Sequence, residues 1–263
     1  MQSIEIRGEE IEYLKFGNGP KNLIMIQGLS FIKLSGSVGR RERMASFYEN
    51  DFTVYFVERR PNMKKGTSTR DMAAHIAEFM DAIGIKKATI AGFSQGGMIA
   101  QWLAIDYPEK IEALVLTVTY ARPNVMSHSV QVWSDLIKAK EYEHFLRLGA
   151  FMSYSADWLY RHKDVKISVP DECDRRSAEQ YEICADACIT HDTYDQLDKI
   201  KCPILAIGGK VDLVVSLQGT LDIAEKTGCE KVVYDDMGHG LYEEDRDFHK
   251  KVYSWLNKTI CNS

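Results

Sequence analysis

Residues 88–101 read ATIAGFSQGGMIAQ, an apolar run of strand length that meets a serine among glycines and turns at once into helix-forming residues. A chain that leaves a buried strand this abruptly is building a strand–turn–helix unit, and no other stretch narrows the available folds as far. Such a turn crowds its own backbone. Glycines two residues before and two after the tip relieve the crowding because they lack a Cβ, and Gly92 and Gly96 hold those places around Ser94. GFSQG thus fits G-x-S-x-G in the context the motif requires, with ATIA as a buried strand before it and GMIAQWLAIDYPEKI as an apolar-striped helix after it. The turn presents a hydroxyl clear of its backbone, although a serine is a poor nucleophile until an adjacent base activates it. Gln95 opens the helix, so its backbone N–H points toward any oxygen held near Ser94.

The same alternation runs through most of the chain. SIEIRG and EEIEYLKFG predict a starting antiparallel hairpin that turns near Gly8. NLIMIQG (22–28) and DFTVYFVE (51–58) read as buried strands, and TRDMAAHIAEFMDAIGI (69–85) as an amphipathic helix with Thr69 as N-cap and Gly84 near its C-terminal end. After the helix that begins at Gln95 come a strand at 112–119, a strand at 202–209, a helix at SLQGTLDIAEKTG, a strand at EKVVYDD and a closing helix at FHKKVYSWLNKTI. Strands alternating with helices at this spacing imply an α/β fold: a mostly parallel, doubly wound sheet of about eight strands flanked by helices. Residues 121–196 break the pattern. They are helix-like throughout, rich in Tyr, Trp, Met and His, and read as a helical cap insertion after the sixth or so strand, lying over the carboxyl ends of the sheet, where open α/β sheets bind ligands. The core is then 1–120 together with 197–263.

Composition excludes several classes of function. The formal net charge of −5 is spread along the 263 residues, which argues against a nucleic-acid or anionic-membrane partner. No apolar run reaches membrane-spanning length, so no stable membrane insertion is expected. MQSIEIRGEEIEYLKFG lacks the ordered features of a secretion signal, and the six scattered cysteines follow no disulfide framework; both suit a reducing cytoplasm. Cys184 and Cys188 are four apart and share a face if that stretch is helical, where they read as buried small hydrophobes ahead of metal ligands.

A serine nucleophile needs a histidine, and the histidine an orienting acid. Of seven histidines, His239 alone lies in a loop directly after a buried strand near the C-terminus, in KVVYDDMGHGLYEE, where Gly238 and Gly240 leave its ring room to reach a neighbouring loop. His75 falls in a helix, His128, His144, His162 and His191 in the insertion, and His249 in the last helix. Asp212, in AIGGKVDLVVS, follows the preceding strand at the same edge of the sheet and is the best-placed acid. Asp235 and Asp236 are nearer His239 in sequence but read as the end of their strand, and VLTVTY offers no acid at the end of the earlier one. The order is then Ser94, Asp212, His239.

With these residues in hand the chain resembles the α/β-hydrolase fold superfamily, close to the compact bacterial esterases and related hydrolases with a helical cap. The resemblance covers nearly the whole length and is carried by GFSQGG (92–97), YPEKIEALVL (107–116), PILAIGGKVD (203–212) and MGHGLYEE (237–244). It implies an oxyanion hole made by the backbone N–H groups of Leu29 and Gln95. Two departures stand out. Members of the group often carry His-Gly after the early strand, whereas IQGLS has Gln27 in the histidine's place; backbone donors survive such a change. Relatives often have an Asp-Arg-Gly loop where this chain reads VERRPNMKKGTST (57–69). Arg59 and Arg60 within it read as exposed and structural ahead of greeting an anionic substrate group.

The expected activity is that of a serine hydrolase, a carboxylesterase for small to medium acyl esters working through an acyl-enzyme, with a small-molecule acyl substrate and no metal or organic cofactor. The expected substrate contacts are Gln27 and, from the insertion and its edge, Tyr120, Met126, Trp133, Phe151, Met152 and Trp158. The same constellation also serves lactone, thioester and carbon–carbon bond hydrolysis and cofactor-free peroxidation, and some members of the fold are slow-turnover ligand receptors.

Overall fold

The computed structural model describes residues 1–124, 128–166 and 168–261. Eight strands form one sheet: β1 (Gln2–Ile6), β2 (Glu9–Phe16), β3 (Lys21–Ile26), β4 (Phe52–Val57), β5 (Ala88–Phe93), β6 (Ile111–Thr117), β7 (Ile204–Gly209) and β8 (Glu230–Tyr234). Their order is β1-β2-β4-β3-β5-β6-β7-β8. β2 pairs antiparallel with both β1 and β4, and all other pairings are parallel. The opening hairpin turns through Arg7 and Gly8, with φ of 53° and 77°; two consecutive left-handed residues are what a two-residue type I′ turn requires.

The central strands are continuous apolar runs because both of their faces are covered. Leu23, Met25, Val54 and Phe56 point to one core, and Ile24, Ile26, Tyr55 and Val57 to the other. α1 (Val38–Ala45) and α10 (Phe248–Leu256) cover the first face, while α2 (Thr69–Ala82), α3 (Gln95–Asp106) and α8 (Ser216–Thr227) cover the second. α3 carries more than an apolar stripe, since every residue from Gln95 to Ala104 is buried. A short helix, α9 (Leu241–Glu244), follows β8. Between β6 and β7 run α4 (Ser129–Lys138), α5 (Tyr142–Ser153), α6 (Ala156–Arg161) and α7 (Ala178–Ile189), with no strand among the described residues of the segment. One isolated bridge, Ile32 to Arg175, ties this segment to the loop after β3.

Two local expectations need correcting. The N-cap of α2 is Ser68, not Thr69: the Ser68 side chain accepts from the Asp71 N–H while Asp71 accepts from the Ser68 N–H, a reciprocal capping box. Thr69 is left free to turn inward, where its Oγ1 lies 2.8 Å from His191 Nδ1. Arg59 and Arg60 are structural, as expected, but they are buried. Arg60 pairs with Glu9 and Glu78, and Arg59 turns under the loop that follows β3.

Candidate active site

Ser94 sits at the tip between β5 and α3 with φ 53° and ψ −120°, a backbone conformation that costs a non-glycine residue about 1–3 kcal/mol. The surrounding contacts hold it there. The Ser94 N–H donates to Thr117 O at 2.9 Å, and Ser94 O accepts from the Gly97 N–H at 2.8 Å. A Cβ on Gly92 would lie 2.4 Å from Gly96 O, and one on Gly96 would lie 2.0 Å from Ile26 O. The second approach matters most, because it lets α3 start directly against the end of β3. The loop leaving β3 then passes beside the serine: a Cβ on Gly28 would be 3.0 Å from Ser94 Cβ. Leu29 lines the same cavity as Ser94, Gln95 follows Ser94 directly as the first residue of α3, and neither backbone N–H has a hydrogen-bond partner among the described residues. Ser94 Oγ likewise makes no hydrogen bond with a described residue, so the hydroxyl is free to turn.

β7 and β8 deliver the other two groups. Gly209 allows the ends of these strands to close up, since a Cβ there would lie 2.1 Å from Met237 O. Asp212 is then fixed by three contacts: Oδ1 accepts from the Val214 and Val215 N–H groups at 2.8 and 2.9 Å, and Oδ2 lies 3.0 Å from His239 Nδ1. Both residues are buried. Asp235 and Asp236 lie just beyond β8 and are exposed, with Asp235 paired to Lys210. Gly238 and Gly240 also serve a second purpose that the sequence does not show. They make room for the end of α5, because Cβ atoms there would meet Ser153 O at 2.7 Å and the Tyr154 ring at 2.4 Å. The Gly240 N–H donates to Ser153 O at 2.7 Å. His239 is thereby docked against the helices of the insertion.

Ser94 and His239 open into one cavity of about 210 Å³, which also takes in Gln27 and Leu29. Of the substrate contacts expected from sequence, Gln27, Tyr120 and Trp133 line it. Phe151 does not; it is 65% exposed, on the outer side of α5. Trp158 does not either, because it stacks between Tyr154 and His162, with ring centroids 3.8 Å away on both sides. Met152 packs against the core outside the cavity lining. Met126 lies outside the described residues. Sequence reasoning missed Phe145, Tyr181 and Tyr242, which complete the apolar wall, and Arg40 and Arg41, which line it with charge. α5 is amphipathic, yet its periodicity cannot say which apolar residue meets the cavity, and nothing in the sequence marks α1 as part of a site.

Beneath Gln27 lies a buried charged cluster. Glu58 Oε2 accepts from the Leu34 N–H at 2.7 Å, and Oε1 accepts from the Arg59 N–H at 2.7 Å, from Gln27 Nε2 at 3.4 Å and from Arg176. Burial opposes the ionised form of Glu58, but Arg176 and these amides outweigh it and hold the carboxyl below its ordinary range. Arg59 Nη2 donates to Gln27 O at 2.7 Å and to Gln95 Oε1 at 3.3 Å, so one guanidinium braces both loops that carry the free amides. Gln95 Nε2 in turn donates to Cys184 O at 2.5 Å and to Cys188 Sγ at 3.1 Å. Cys184 and Cys188 do lie one turn apart on α7, both buried, and burial pushes the Cys188 thiol up to about 12.

The family model described as the alpha/beta hydrolase fold matches residues 41–246. The chain is 20% identical over 235 residues to 3-oxoadipate enol-lactonase 2 of Acinetobacter baylyi, a match covering 86% of this chain and 83% of that protein. Among solved structures it is similar to an enol-lactonase from Burkholderia xenovorans, with a TM-score of 0.81 at 22% identity over 97% of this chain and 99% of that one. A thermophilic esterase from Thermogutta terrifontis gives a TM-score of 0.78 at 18% identity, covering 98% and 99% of the two chains.

Proposed function

The chain belongs to the alpha/beta hydrolase fold family, and from that premise we propose that it is a serine hydrolase that cleaves carboxylic esters of small to medium acyl groups. The observation that carries the reading is the meeting of Ser94, from the turn after β5, with the His239–Asp212 pair, from the loops after β8 and β7, at one cavity. Asp212 Oδ2 accepts the Nδ1–H of His239, which leaves Nε2 bare to take the Ser94 proton as Oγ attacks the acyl carbonyl. The Leu29 and Gln95 N–H groups, unpartnered among the described residues, receive the oxyanion; losing one such donor costs about 100- to 1,000-fold in rate. His239 then protonates the leaving alcohol. The acyl-enzyme is hydrolysed by a water from which His239 takes a proton in turn.

Residues 121–196 act in this reading as a cap. α4, α5 and α7 supply Trp133, Phe145 and Tyr181 to the cavity wall, and these rings meet edge to face. We place the protein in the cytoplasm as part of the same proposal, since its five described cysteines are free thiols. No helix among the described residues is long and apolar enough to cross a membrane.

The test is labelling with a fluorophosphonate probe followed by peptide mapping, run beside a p-nitrophenyl ester series from acetate to laurate. An adduct on Ser94 together with ester turnover is expected, and both should vanish in Ser94→Ala. Turnover that survives Ser94→Ala would overturn the reading. The enol-lactonases among the relatives favour a second form of the same chemistry, in which the scissile ester lies within a ring. A kcat/KM on an enol-lactone well above that on any p-nitrophenyl ester would select it.

A further inference from the structure

The charges that line the cavity do not balance. Arg41 is only 7% exposed, yet among the described residues no carboxylate lies within 4.0 Å of its guanidinium. Its one good hydrogen bond runs from Nη2 to Gln27 Oε1, at 2.8 Å. Nη1 reaches only Met44 Sδ, at 3.8 Å, and Nε has no partner at all among the described residues. The flat of the group rests on Phe56, 5.5 Å from the ring centroid. The neighbouring cations are satisfied elsewhere. Arg40 pairs with Glu243, and Arg176 with Glu58. Glu58 also serves the backbone N–H groups of Leu34 and Arg59 and the Gln27 amide, so of the three buried guanidinium groups around Gln27, those of Arg41, Arg59 and Arg176, only that of Arg176 pairs with a carboxylate among the described residues.

A buried guanidinium with a neutral amide as its main partner costs several kcal/mol relative to water. That cost needs a return. Holding Gln27 in place is not sufficient, because Gln27 is already tied at Nε2 by Glu58 and at its backbone oxygen by Arg59. What distinguishes Arg41 is its position: it opens onto the same cavity as Ser94 and Leu29, on the side of Gln27. Burial and the nearby Arg40 depress its guanidinium to about 10, as expected for a cation that lacks its counter-charge.

We propose that Arg41 is the anion subsite of this cavity and that the substrate carries a carboxylate at the end of its acyl or alcohol chain remote from the scissile bond. The substrate class is therefore a half-ester or a lactone of a small dicarboxylic acid rather than a neutral fatty ester. Binding brings the missing negative charge to a guanidinium that is itself largely buried, where a charge-assisted contact with arginine is strong. The inference rests on the serine-hydrolase reading above, and it names the substrate of that same site.

The decisive comparison uses two p-nitrophenyl esters of the same chain length, mono-p-nitrophenyl glutarate and its neutral methyl ester, with each rate corrected for spontaneous release of p-nitrophenol, which the free glutarate carboxylate accelerates by attacking its own ester. In the wild type, kcat/KM is expected to favour the acid at least about 30-fold. In Arg41→Met that preference should fall by about 30-fold or more, the usual cost of removing one partner of a buried pair. Arg41→Lys, which keeps the charge but not the fork, should retain part of it. A wild-type ratio at or below one would overturn the proposal, and so would an unchanged ratio in a folded Arg41→Met protein. Calorimetric titration with glutarate separates the two readings. If neither ester turns over but glutarate binds and Arg41→Met weakens it at least tenfold, the hydrolase reading fails and the anion site stands. If neither ester turns over and glutarate does not bind, both fail.

Discussion

Asp212→Asn should lower kcat on a p-nitrophenyl ester by about 10,000-fold while the protein stays folded. The size of the effect follows from the donors around the carboxylate. Oδ1 takes the N–H groups of Val214 and Val215 at 2.8 and 2.9 Å, and Oδ2 faces His239 Nδ1 at 3.0 Å. An asparagine must choose between these two sides. With its carbonyl on the valine amides, its NH2 donates to His239 Nδ1; the imidazole then carries its proton on Nε2 and can no longer accept one from Ser94. With the amide reversed, NH2 meets two buried N–H donors, and each loses its partner at about 1–3 kcal/mol. The first arrangement is the cheaper for folding, so the fold itself imposes the inactive tautomer. A factor of 10,000 corresponds to about 5.5 kcal/mol of lost transition-state stabilisation. The assay is steady-state kcat beside a thermal melt and a near-ultraviolet dichroism spectrum. A loss smaller than tenfold in a folded protein would refute the reasoning and remove Asp212 as the orienting acid.

Ser94→Gly should abolish turnover and yet raise Tm by about 2–4 °C, because a glycine accepts φ 53° without the strain that the serine carries there; a fall in Tm would show that the turn is not strained. Acid should destabilise the protein before its carboxylates titrate. Burial lowers His249 to about 4 and His191 to about 3 from an ordinary 6.5, so below pH 6.5 the unfolded chain binds more protons than the folded one and stability falls with falling pH. By pH 4.5 the loss is on the order of 2 kcal/mol for each histidine, read as a falling Tm between pH 6.5 and 4.5, and a flat Tm across that window would refute it.

Much of the site was legible in the sequence because the chemistry follows local rules. The glycines around Ser94 are dictated by contacts within a single turn, and the structure adds only that Gly96 also clears the end of β3. Asp212 and His239 could be picked out because each follows its own strand by a few residues, and a parallel sheet brings strand ends to one edge. The helical character of 121–196 was likewise written in its residues.

The tertiary structure alone decided how those helices face and where the charges lie. Phe151 and Phe145 share one amphipathic helix, and only packing against α4 and α7 sends one outward and the other to the cavity. Arg41, Glu58, Arg59 and Arg176 are residues that sequence rules assign to the surface, because burying a charge is costly unless a partner waits. Their partners come from far along the chain: Gln27 and Glu58 are 31 residues apart, and Glu58 and Arg176 are 118 apart. Periodicity and local motifs report what a residue does to its own segment. Whether a guanidinium is neutralised, and so whether it is left to meet a substrate, depends on contacts that exist only once distant segments have been folded together.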